Sequence, residues 1–173
     1  MFFIHDMEER MTLEPAYFSG ESEAKILDEL YQRVEGRNTG TMMIVRIMSI
    51  TDVSDGEVMQ GTGVALYTVS FQALVWQPFR GEVVDGSVTS VLMSGFFVDV
   101  GALQVFVSRQ MIPTSFQYTV EGSTPSFSDV TADSFTIEVN TQVRLRIKGL
   151  RSEMGAMYAV GSIKEDYLGP LLQ

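Results

Sequence analysis

At 173 residues the chain has room for one large domain or two small ones. An apolar share of 45% excludes a disordered acidic tail, and the absence of cysteine excludes disulfide staples, thiol catalysis and cysteine zinc sites. A net charge of −10 sits badly with tight sequence-independent nucleic-acid binding, which depends on phosphate neutralisation, and favours a basic protein partner.

Residues 1–4 read as an apolar strand, and Pro15, Ala16, Tyr17 and Gly20 as the turn that follows. Ser22 is placed to cap a helix running to about residue 35, with Glu21 and Glu23 near its positive end. Ile26, Leu27, Leu30, Tyr31 and Val34 fall at helical spacing on one face, and Gly36 stops the helix. Residues 41–50 are strand-like, with Met43, Val45 and Ile50 as apolar positions. Residues 52–63 form a turn-rich loop holding Gly56, Gly61 and Gly63. The chain returns as a long strand over 64–76, and Pro78 ends it near a domain junction. Beyond that point nearly everything reads as β, with strands near 81–91, 95–101, 103–108, 141–150 and 156–163. Residues 113–140, rich in Ser, Thr, Gly, Pro and Asp, read as an insertion with a hairpin at 115–120. The fold class is therefore α+β: an α+β domain over 1–80 with an antiparallel sheet and one main helix, then an all-β domain over 81–173. No apolar run approaches the ~18 residues of a membrane helix, and the start lacks a charged signal-peptide flank. A soluble intracellular protein with no membrane association is expected.

In order along the chain, several stretches resemble one family: Trp76-Gln77-Pro78-Phe79-Arg80-Gly81-Glu82-Val83-Val84-Asp85, Gly95-Phe96-Phe97-Val98-Asp99-Val100-Gly101, Val105-Phe106-Val107-Ser108, Val143-Arg144-Leu145-Arg146-Ile147, and Gly161-Ser162-Ile163-Lys164-Glu165-Asp166-Tyr167-Leu168-Gly169. They are similar to the polymerase stalk subunits, the family of subunit seven of eukaryotic RNA polymerase II and, farther off, of its archaeal stalk relative. The likeness extends to Met1-Phe2-Phe3 and Val34-Glu35-Gly36, and the terminal stretch points to the polymerase II member over its polymerase I and III counterparts. Val83, Ser87, Val91, Phe97 and Gly101 fall where an S1-type oligonucleotide-binding barrel has them.

The resemblance implies an N-terminal ribonucleoprotein-like domain followed by a C-terminal S1/OB-type barrel. It also implies a nuclear, non-catalytic stalk subunit that pairs with a smaller helical subunit four and docks on the core polymerase near the clamp. The core-docking residues would be the hairpin tip Gly61, Thr62 and Gly63, with Met1, Phe2 and Phe3 beside it. The barrel would lie close to nascent single-stranded RNA and bind it weakly. Comparison with S1 domains puts RNA contacts at Ser94, Phe97, Phe106, Arg151 and Tyr158. Ser94 stands where many such domains have an aromatic, and Phe106 where many have histidine. One stacking platform is thereby lost, and stacking contributes ~1–3 kcal/mol per base.

Neighbours on a strand point oppositely, so one of Phe96 and Phe97 faces the core; Phe97, Phe106 and Tyr158 are the candidate platforms. The alternation at 143–148 turns Val143, Leu145 and Ile147 inward and lines the outer face with Arg144, Arg146 and Lys148. With Arg151 these cations suit phosphate, but equally a solvated face or a docking face for an acidic partner. Met42, Met43 and Met48 are candidates for burial under the partner, as are the apolar surface of the 41–76 sheet and the seam between domains.

Catalysis finds little support. His5 is the only histidine, which excludes a His–carboxylate metal site, and no cofactor or catalytic residue is expected. Asp52 with Asp55, and Glu165 with Asp166, read as solvated turn charges. Two other classes compete: a structural adaptor whose barrel binds initiation or RNA-processing proteins, and a free S1-type RNA binder. The second leaves residues 1–80 without a role.

Overall fold

A computed structural model describes residues 1–18, 20, 22–121, 124–130 and 135–171. The chain divides into two units, Met1–Gln77 and Pro78–Gln173. Among the described residues no helix is long and apolar enough to cross a membrane.

The first unit holds β1 (Phe2–Leu13), α1 (Ser22–Val34), β2 (Met43–Val53), β3 (Glu57–Val58) and β4 (Ala65–Trp76). The sheet order is β1-β4-β2, all antiparallel, with the short β3 also paired to β4. β1 runs well beyond the expected residues 1–4. Its charged stretch still alternates: Asp6, Glu8 and Arg10 face out, while Met7, Met11 and Leu13 turn towards the core. Glu9 shares that inner face and meets Arg37 at 3.3 Å and Arg33 at 3.6 Å, so its charge is matched where it is most covered.

Helix α1 includes Ser22 as its first residue; Glu21 lies outside the described residues. Ile26, Leu30 and Val34, four residues apart, are buried against Met11, Leu13, Ile44, Ile47, Val69, Phe71, Ala73 and Val75. Each such side chain contributes about 1.5–3 kcal/mol by leaving water. Leu27 is half-buried and Tyr31 exposed, so they mark the stripe's edge. Beyond the helix, the Gly36 N–H donates to the Ile44 carbonyl and the Ile47 N–H to the Glu35 carboxylate, tying the helix end to β2.

β2 departs from simple alternation. Register shifts after Ile44, Ile47 and Ile50 insert extra residues, so Ile44, Ile47, Ile50 and Val53 all turn towards the helix. Val45 and Met48 are left exposed on the outside. They join Phe2 (64% exposed) and Ile4 in an apolar patch on the sheet face away from α1.

The β3–β4 hairpin ends in Gln60, Gly61, Thr62 and Gly63, closed by the Met59 N–H donating to the Val64 carbonyl at 2.8 Å. Gly61 has φ 93° and no neighbouring atom within 4 Å of where a Cβ would stand. The expected position of Met1, Phe2 and Phe3 beside this tip is corrected by the register. Phe2 pairs with Trp76 at one end of β4, whereas Val58 pairs with Ala65 at the other. At ~3.3 Å per residue the two lie roughly 35 Å apart along the strand. The Met1 amine instead donates to the Gln77 carbonyl.

The second unit holds β5 (Val83–Leu92), β6 (Gly95–Val100), β7 (Leu103–Ser108), β8 (Phe116–Glu121), β9 (Thr124–Asp129), β10 (Thr136–Ile137), β11 (Gln142–Glu153), β12 (Ala156–Ser162) and β13 (Gly169–Pro170). Sheet order β12-β7-β6-β5-β11-β13, with β11 also paired to β12, closes a barrel. Val88, Phe96, Val98, Leu103, Val105, Val107, Val143, Leu145 and Ile147 fill it, each fully buried. Residues 113–140, expected as an insertion, carry a sheet of their own. β8, β9 and β10 form a three-stranded sheet, and the expected hairpin at 115–120 is only its first arm. Residues 122–123 and 131–134 of this stretch lie outside the described residues. Phe127 anchors that sheet, its ring 6.2 Å from Phe96 and 5.5 Å from Tyr118.

Candidate nucleic-acid interface

The outer face of the barrel assembles the site. Gly95-Phe96-Phe97 starts β6 with Phe96 buried in the barrel and Phe97 turned outward, half-buried. Phe97 is the register partner of Phe106 on β7, and their rings lie 4.8 Å apart at 45°. Phe106 pairs with Val160 on β12, and two residues back along β7, Gln104 pairs with Tyr158. Tyr158 in turn pairs with Arg151 on β11. Register partners share a face, so Phe97, Phe106, Val160, Tyr158 and Arg151 form one outward patch across four strands. Tyr158 is 40% and Val160 45% exposed. Ser94 sits in the exposed β5–β6 turn, where its carbonyl accepts the Arg109 N–H at 2.8 Å.

The basic strand borders this patch, but its cations are engaged. Arg144 makes a two-pronged contact with Asp85, at 2.7 and 2.8 Å. Arg146 lies 3.0 Å from Glu165, and Lys148 donates to the same carboxylate. The hydrogen bond from Lys148, helped by both positive charges, holds the Glu165 carboxyl below its ordinary 4.5; the Arg144 hydrogen bond likewise lowers Asp85. Both carboxylates therefore stay ionised at neutral pH. Glu165 is a bridging counter-ion and not the solvated turn charge expected of it. Arg151 stands exposed on the same strand, beyond the reach of either carboxylate's contacts.

The sequence did bring together Phe97, Phe106, Tyr158 and Arg151. It missed Asp85 and Glu165, whose roles depend on pairing across long sequence distances. Among the described residues no group of three or more His, Asp or Glu side chains is placed to hold a metal.

A closed β-barrel with an aromatic outer patch is the architecture of the S1 RNA-binding domain, and the model of that family matches residues 77–158. The whole chain is 34% identical to DNA-directed RNA polymerase II subunit RPB7 of Saccharomyces cerevisiae, covering 99% of this chain and 100% of the relative. It is 36% identical to the corresponding subunit of Dictyostelium discoideum, over 98% of each. Subunit RPC8 of RNA polymerase III from Saccharomyces cerevisiae is 24% identical, with 71% of its length covered. The chain belongs to the RNA polymerase II subunit 7 family.

Proposed function

We propose that this chain is a non-catalytic subunit of nuclear RNA polymerase II that forms a stalk with the small helical subunit four. Its first unit docks on the core near the clamp, and its barrel contacts nascent single-stranded RNA. The observation that carries the RNA reading is the outward Phe97–Phe106 pair with Tyr158 and Arg151 on the same face. Aromatic faces accept unpaired bases, and one cation beside them suffices for a weak, stacking-led contact. The apolar patch around Phe2, Ile4, Val45 and Met48 supports a protein partner on the first sheet.

The direct test is the affinity of a labelled single-stranded RNA for the full chain, measured by fluorescence anisotropy. Replacing Phe97 and Phe106 together by alanine should weaken binding by roughly 5- to 150-fold for each stacked base lost. Because both rings face outward, the barrel core is left intact. Equal affinity of the variant at low salt would remove RNA from the reading. It would leave the structural adaptor, which the engaged cations at Arg144, Arg146 and Lys148 favour.

Core docking is assigned to Gly61, Thr62 and Gly63, with Met1, Phe2 and Phe3 as a separate contact at the far end of β4. Gly61→Asn with Gly63→Asn should release the subunit from core polymerase and keep subunit four bound. Asparagine enters the left-handed backbone more readily than other side chains, so it adds bulk at the tip with the least strain, and thermal denaturation of the variant checks that the first unit still folds. Co-purification of the variant with the core would exclude the tip as the docking point.

A further inference from the structure

The cation row and the aromatic patch lie on one outer face, yet only the patch is free to act. We infer that Glu165 and Asp85 are specificity-determining residues: by occupying Arg146, Lys148 and Arg144 they suppress phosphate-led contact and restrict the barrel to unpaired strands. The inference rests on the RNA-binding reading and deepens it.

Duplex DNA and duplex RNA hide their base faces and present phosphates, so non-specific duplex binding is phosphate neutralisation with a steep salt dependence. Single strands offer bases for stacking and need fewer cations. On β11 the outward cations Arg144, Arg146 and Lys148 fall at every second residue, with Lys148 in the bulge between Ile147 and Gly149, a spacing suited to a backbone of phosphates. Each meets a carboxylate: Asp85 grips Arg144 through Nε and Nη2, while Glu165 takes a hydrogen bond from Lys148 and lies in ion-pair range of Arg146, whose Nε makes no hydrogen bond. A phosphate arriving at this row must first displace a matched counter-ion. A base arriving at Phe97 and Phe106 meets no such competitor. The placement is economical: Glu165 reaches the row from the short segment between β12 and β13, and β13 is itself paired to β11 at Val143 and Arg144. Without these two carboxylates the face would carry four unmatched cations from Arg144 to Arg151.

The test compares the full chain with Glu165→Gln, Asp85→Asn and the double variant, each checked for folding by thermal denaturation. The probes are a labelled single-stranded oligouridylate and a DNA duplex of the same length, titrated over a range of salt. The double variant should bind the duplex roughly 10-fold more tightly, the scale of one new charge-assisted contact. The oligouridylate should gain less, so the preference for the single strand falls. The duplex log–log salt slope should steepen by about 0.9 for each phosphate newly contacted. An unchanged preference and slope would overturn the inference. Asp85→Asn acts on Arg144 alone, so it remains informative if Glu165→Gln fails to fold. Retention on heparin separates the two readings. If the native chain binds no oligouridylate but the double variant elutes from heparin at higher salt, the masking stands and the stacking reading falls. If both elute at the same salt, the masking falls whatever the RNA result.

Discussion

Replacing Gly95 by alanine is expected to destabilise the barrel by about 3 kcal/mol or more, with the loss seen as an earlier denaturant midpoint for the second unit. Gly95 has φ 148°, and a Cβ there would stand 2.1 Å from the Val107 carbonyl oxygen and 2.9 Å from the Ser108 Cα. Both obstacles are backbone on the paired strand β7, where Gly95 is the register partner of Ser108. No side-chain rotation relieves the contact; the β6–β7 ladder has to open. Gly101 is the control, since it also has a positive φ of 66° but open space around it. Gly101→Ala should cost only the conformational penalty, about 1 kcal/mol. Equal shifts for the two variants would show that the close approach at Gly95 carries no weight.

The second large effect is expected at Phe127. Its side chain is 1% exposed and touches Phe96 from the sheet formed by β8, β9 and β10. Truncation to alanine removes a buried ring and leaves a cavity, a change that costs about 3–5 kcal/mol. Phe96 shares this contact, so the damage should reach the barrel as well as the added sheet. Hydrogen exchange would then show faster exchange in β8 and β9 and also in β6. Exchange confined to β8 and β9 would mean that the two layers are energetically independent.

The fold is legible where one face of an element is uniformly apolar. Val143, Leu145 and Ile147 alternate cleanly with cations, and Ile26, Leu30 and Val34 repeat at helical spacing; both patterns survive folding intact. The full length of β1 is hidden because acidic residues on both sides of Met7 obscure an alternation that only pairing with β4 reveals. In β2 three bulges set Ile44, Ile47, Ile50 and Val53 inward at every third residue and leave Val45 outward, a spacing that fits neither the strand period of two nor the helical period and so hides the inner face. The sheet over β8–β10 is masked by its polar composition, since only a few residues such as Phe127 and Ile137 are fully buried. At the site, the Gly95-Phe96-Phe97 step announces one outward ring, Phe97, because strand neighbours point oppositely; its partner Phe106 lies on the next strand and comes only from the likeness to S1 domains. Glu165 and Asp85 are illegible as counter-ions, since their partners come from a different strand.

The parallel pairing of β12 with β7 also sets an order for biosynthesis. The stacking pair Phe97 and Phe106 belongs to a hairpin whose strands are joined by residues 101–102, so it can form as soon as Ser108 has left the ribosome. Tyr158 and Arg151 arrive only with β11 and β12, after the whole three-stranded sheet has been made. At ~5–20 residues per second, the stretch from Ser108 to Ser162 takes about 3–11 s to emerge. During that interval the β7 edge has no strand to pair with, and such an edge recruits other chains. The growing polypeptide thus passes through a sticky stage set by strand order alone, and shielding by a chaperone would matter most before Ser162 appears.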